Sequence, residues 1–123
     1  KFKNLEFVHE KMFPVDDVLF VCHGGGGFSK FIPEFKSWIK ENNLTIKAAP
    51  KVVLATHAPP FNTVLDEVDK GYHVGVKDYA NFITTYDPVL ALSGHIHESY
   101  KKSQMLGKTK LMNPGGDGEI FEL

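Results

Sequence analysis

The sequence predicts an α/β layered domain. Three short runs, residues 18–22, 51–55 and 89–92, are almost continuously apolar, as strands covered on both faces would be. Two stretches with helical spacing lie between them. A histidine closely follows each run: His23, His57 and His95. In a sheet layered with helices, residues just beyond strand carboxyl ends line the ligand crevice.

Each element follows from local pattern. Residues 5–8 alternate weakly and read as a short strand. Residues 18–22 form the first buried strand, followed by His23 and the glycines Gly24 to Gly27. Phe31, Phe35, Trp38 and Ile39 then fall on one helical face, with Pro33 suited to the first turn and the helix running to about Asn42 or Asn43. Residues 51–55 form the second buried strand, stopped by Pro59 and Pro60.

Residues 61–75 read mostly as loop, punctuated by Gly71 and Gly75. Residues 78–85 read as a helix with Tyr79, Phe82 and Ile83 inward. Pro88 leads into the third buried strand, 89–92. Residues 103–106 and 109–112 form a hairpin about Gly107, 113–116 form a turn, and 119–123 form a last strand. No repeat or linker divides the chain, so residues 1–123 read as one domain.

Composition narrows the classes. Of 123 residues, 42% are hydrophobic and 24% charged, which suits one globular core. The formal net charge of -1 gives no reason to expect a nucleic-acid partner or an anionic membrane. Cys22 is the only cysteine, so an internal disulfide and a cysteine-based zinc cluster are excluded, and a reducing, cytoplasmic setting is expected. No apolar run approaches the ~18 residues of a membrane span, and no signal peptide is visible.

The chemistry concentrates in two segments, Thr56-His57-Ala58-Pro59-Pro60 and Gly94-His95-Ile96-His97. Prolines after His57 fix the backbone and would orient an imidazole ligand at little entropic cost. His95 and His97, two apart on an extended segment, would project to one side and reach different ions of a close metal pair. Taken singly, each segment is as well explained by a turn or by surface histidines.

Together with Asn113-Pro114-Gly115-Gly116, these segments resemble the calcineurin-like metallophosphoesterases, especially their small prokaryotic and archaeal members. Gly71-Tyr72-His73-Val74-Gly75 is also similar to that subgroup. The resemblance runs from about Val18 to the C-terminus. It implies a β-sandwich flanked by helices, with a two-metal site at one edge. It further implies His57 and His95 on one ion, His97 on the other, and a structural role for the 113–116 turn.

The resemblance also exposes a gap. The family's Asp-x-His, Gly-Asp-x-x-Asp and Gly-Asn-His-Asp/Glu motifs, which carry the bridging carboxylate and the remaining ligands, do not occur. Three neutral imidazoles cannot hold two divalent ions against their mutual repulsion. Asp66, Asp69, Asp78 and Asp117 sit in no bridging motif. The chain opens at Lys1 rather than methionine, and the expectation is the C-terminal portion of the domain. Such a half-domain exposes sheet edges, so association with the complementary half or a second copy is expected.

Two functions follow as expectations. In the complete fold, a hydroxide activated by two divalent ions attacks phosphorus of a phosphomonoester or phosphodiester. Mn²⁺ is the expected metal, with Fe, Zn, Ni or Co as alternatives. The other function is a non-catalytic metal-binding or protein-interaction scaffold. By itself the chain is expected to be inactive, with no catalytic residue of its own. His23 and His73 are candidate substrate contacts. Gly24 to Gly27 reads as a flexible turn or a phosphate cradle, and it lacks the Lys-Ser/Thr of a P-loop. His9 reads as structural or exposed, and Cys22 and Trp38 as core. Lys101, Lys102, Lys108 and Lys110 read as a solvated hairpin face or as anion contacts.

Overall fold

The computed structural model describes residues 3–123. The three apolar runs form β2 (Val18–His23), β3 (Lys51–Thr56) and β6 (Leu90–Ser93). They are mutually parallel, and β8 (Thr109–Met112) continues the parallel set beside β6. Antiparallel edge strands β1 (Lys11–Val15) and β7 (Ser103–Leu106) complete one six-stranded sheet in the order β1-β2-β3-β6-β8-β7. A small ribbon, β4 (Glu67–Asp69) with β5 (Tyr72–His73), stands apart from it. The described residues thus build one main mixed sheet flanked by helices, as the expected α/β layered class requires.

Helices α1 (Pro33–Glu41), α2 (Asn43–Ala48) and α3 (Lys77–Tyr86) supply the covering layer. Phe35 and Ile39 of α1, Ile46 of α2, and Tyr79, Phe82 and Ile83 of α3 join Leu19, Val21, Val52 and Leu54 in one core. Pro33 occupies the first turn of α1, where its missing N–H costs nothing. Asp87 closes α3 in a left-handed conformation (φ 47°), its N–H bonding back to the Ile83 carbonyl at 3.0 Å. No helix among the described residues is long and apolar enough to cross a membrane.

Several expectations need correction. Residues 5–8 are not a strand; the first strand is Lys11–Val15, whose Pro14 is tolerated because β1 lies at the sheet edge. Residues 119–123 find no strand partner. Phe31 precedes α1 and is exposed, so it does not share the buried face of Phe35 and Ile39. The 61–75 stretch holds the β4–β5 ribbon, and a second helix, α2, follows α1. Trp38 is partly buried against the core, and Cys22 is buried, which pushes its thiol pKa up.

Candidate metal and substrate site

Parallel pairing fixes where the chemistry sits. Register places His23 opposite Thr56, and Thr56 opposite Ser93, so these strands end together. The residues that follow, His57, Gly94-His95 and Asn113, emerge at one sheet edge around a cavity of about 560 Å³. The backbone continues the ladder past the strand ends. His57 N–H donates to the His23 carbonyl (3.1 Å), and Gly94 N–H donates to the His57 carbonyl (3.0 Å).

There the imidazoles of His57 and His95 meet. His57 Nε2 lies 3.1 Å from His95 Nδ1, and the ring planes are tilted by 56°. Two nitrogens on one ion, each about 2.1 Å from it, stand roughly 3.0–3.4 Å apart. The pair therefore fits two ligands of a single divalent ion. Desolvation, then the neighbouring His57 and His97, lowers the His95 pKa, keeping the ring in the neutral form that ligates metal. His95 Nε2 is buried with no hydrogen-bond partner among the described residues.

His97 departs from the expected extended segment. His95 is left-handed (φ 65°), and His97 opens a 3-10 turn, His97–Ser99. The period-two projection is lost. His97 is exposed and packs against Tyr100, ring centroids 5.0 Å apart. The turn is held by Asn113, whose buried side-chain amide donates to the Ile96 carbonyl (3.1 Å) and to Ser99 Oγ (2.9 Å). Its Oδ1 accepts from Gly115 N–H (3.0 Å). The 113–116 turn thus braces the histidine loop.

His23 is 2% exposed and faces the interior, Nδ1 against the Tyr79 hydroxyl. Desolvation first, then His9, lowers its pKa. Among the described residues its Nε2 has no partner within bonding distance, the carboxylate of Glu10 standing 3.9 Å away. Ligand atoms of His9, Glu10 and His23 lie within 4.8 Å of one another. However, His9 Nδ1 already accepts from Gly24 N–H at 2.9 Å, so the neutral ring carries its proton at Nε2. That leaves His9 no free lone pair for a metal. His9, expected to be structural or exposed, thus ties the 3–10 segment to the glycine loop. Gly26 (φ 107°) is confined by Ile32 and Ala58, which an added Cβ would approach to 3.1 and 3.3 Å.

His73 does not line the cavity around His57 and His95. Its Nδ1 donates to Asp66 Oδ1 (2.6 Å), and Asp66, 0% exposed, also accepts from the N–H groups of Asn62, Thr63 and Gly75 at 2.9 Å each. Asp66 is thus a structural anchor for the segment after Pro60, not a metal bridge. Asp78 is likewise used, accepting from Ile32 N–H at 2.6 Å. No sequence signal beyond the Asp66–His73 spacing points to this cage. Of the hairpin lysines, Lys101 is engaged by Glu119 (3.5 Å) and by the Gly118 carbonyl.

Similarity to known proteins decides the family. The profile of the calcineurin-like phosphoesterases matches residues 2–99. The chain belongs to the calcineurin-like phosphoesterase family. Members of that family generally bind two divalent metals. Uncharacterized protein MJ1162 of Methanocaldococcus jannaschii is 30% identical over 116 residues, covering 87% of this chain and 52% of its own. This chain spans about half the length of that curated relative.

Solved structures share the fold. TT1561 of Thermus thermophilus matches with a TM-score of 0.59 at 21% identity, over 88% of this chain and 48% of that one. A Staphylococcus aureus protein assigned as a 5′-nucleotidase, solved with α-ketoglutarate, matches with a TM-score of 0.52 at 19% identity, over 88% and 24%. At such identities the likeness speaks for the fold alone. The calcineurin-like site is only partly furnished here, since no carboxylate joins the His57–His95 pair within ligand distance among the described residues.

Proposed function

We propose that this chain provides the imidazole wall of a two-metal phosphoester hydrolase. His57 Nε2 and His95 Nδ1 would hold one ion and His97 the other, with Mn²⁺ as the preferred metal. The observation that carries the reading is the 3.1 Å approach of the two nitrogens at the ends of adjacent parallel strands. Bound divalent ions would neutralise phosphoryl charge and lower the pKa of water.

The chain's own residues then do three things in this reading. His57 and His95 stay neutral and present lone pairs to one point. Asn113 fixes the loop that carries His95 and His97. Phe28 packs beside His95, ring centroids 4.6 Å apart and planes tilted by 57°. The carboxylate ligands come from outside these residues, consistent with a chain spanning about half of its relatives.

A scaffold reading has one observation in its favour, the missing carboxylate. Activity separates the two. The complete protein with Mn²⁺ is expected to hydrolyse 4-nitrophenyl phosphate or bis(4-nitrophenyl) phosphate. His57→Ala or His95→Ala should each lower kcat/KM by more than about a hundredfold, beyond the loss typical of removing a ligand's supporting partner. A complete protein inert with Mn²⁺, Ni²⁺ and Co²⁺ would favour the scaffold.

A further inference from the structure

Beside the histidine pair lies a second cavity, of about 430 Å³, lined by Phe28, Lys30, Val68, Tyr72, His73 and Val74. Phe28 belongs to both places: its ring packs on His95 and also walls this cavity. Phe28 and Tyr72 are large aromatic side chains left 66% and 63% exposed. Lys30 and Lys77 hold their ammonium groups 5.7 and 5.0 Å from the Phe61 ring centroid. Of the two, Lys30 lines the cavity beside the Phe28 and Tyr72 rings.

His73 completes the lining with fixed polarity. Asp66 accepts three backbone N–H groups, so its oxygens also take the proton of His73 Nδ1. Nδ1 is thereby occupied, and Nε2 is the nitrogen left to hydrogen-bond a polar group in the cavity.

We infer that this cavity is a subsite for the nucleoside part of a nucleotide substrate. The base stacks on Phe28 and Tyr72, His73 Nε2 hydrogen-bonds sugar or base, and Lys30 favours an anionic ligand. Stacking on aromatic side chains tolerates any base because every base has a π-face. The inference rests on the hydrolase reading for the position of the phosphate, but not for the existence of the pocket.

Equilibrium binding to the complete protein in excess chelator tests it without turnover, using adenosine 5′-phosphate and ribose 5-phosphate as probes. The nucleotide should bind at least tenfold more tightly. Tyr72→Leu, at an exposed position, should shrink that preference to within about threefold, and His73→Gln should weaken nucleotide binding. Equal binding of the two probes, or a preference untouched by both Tyr72→Leu and Phe28→Leu, overturns the inference. A metal-loaded protein that cleaves nitrophenyl esters yet shows no base preference rejects the subsite and leaves the hydrolase reading standing. Base preference in a protein without hydrolysis does the reverse.

Discussion

His57 Nε2 stands 3.1 Å from His95 Nδ1, although 38 residues separate them in the chain. The contact is a product of sheet register. β3 and β6 pair in parallel with Thr56 opposite Ser93, so the next residues of both strands leave the sheet side by side. A change that shifts this register would separate the rings without touching either histidine.

The segment behind His57 should tolerate no side chain at Gly75. A Cβ there would lie 2.7 Å from the Pro59 carbonyl oxygen and from backbone atoms of Pro60. Backbone cannot swing aside as a side-chain tip can. Gly75→Ala is expected to cost about 1–3 kcal/mol, the range for overpacking a tight site. Urea denaturation of both proteins checks this, and an unchanged midpoint would refute it.

Asp66 should matter to stability as much as a core apolar residue. Asp66→Ala orphans the N–H groups of Asn62, Thr63 and Gly75 together with His73 Nδ1. Each buried orphan costs about 1–3 kcal/mol, partly relieved by entering water. A loss of about 3 kcal/mol or more is expected by denaturant titration. A loss below about 1 kcal/mol would show that the cage is not as dry as its burial indicates.

Stability should form a plateau bounded by His23 and Tyr79. The folded state keeps His23 neutral, its pKa lowered below the usual 6.5 by desolvation. Between that lowered value and 6.5 the unfolded chain binds the extra proton, so stability falls on acidification below about pH 6.5. Tyr79 is the mirror case, its pKa raised above the usual 10.0 by desolvation and then by Glu34 and Asp78. Above about pH 10 the unfolded chain loses that proton first, so stability falls there too. The paired measurement is the pH dependence of the urea midpoint. Tyr79→Phe should flatten the alkaline limb, and an unaltered limb would exclude Tyr79 as its source.

Much of this fold is legible in sequence because buried parallel strands declare themselves by composition. Residues 18–22, 51–55 and 89–92 need no partner information to be read as covered strands, and the histidines after them mark the crevice edge. Other elements depend on contacts that pattern does not carry. β1 is an edge strand with Pro14 in it, half exposed, and has no alternation to read. Residues 119–123 have apolar content like a strand but pair with no strand among the described residues. His97 departs from its expected placement for a backbone reason: the positive φ of His95 breaks the extended geometry that equal projection requires. The Asp66 cage arises only when a fold brings Asn62, Thr63, His73 and Gly75 around one carboxylate.

The central claim is that His57 and His95 ligate one divalent ion. Anomalous diffraction at the manganese edge, from crystals of the complete protein grown with Mn²⁺, tests it most directly. The account predicts a peak roughly 2.1 Å from both His57 Nε2 and His95 Nδ1, to within about 0.2 Å. Manganese bound elsewhere, with that position empty and the two rings still 3.1 Å apart, would contradict it.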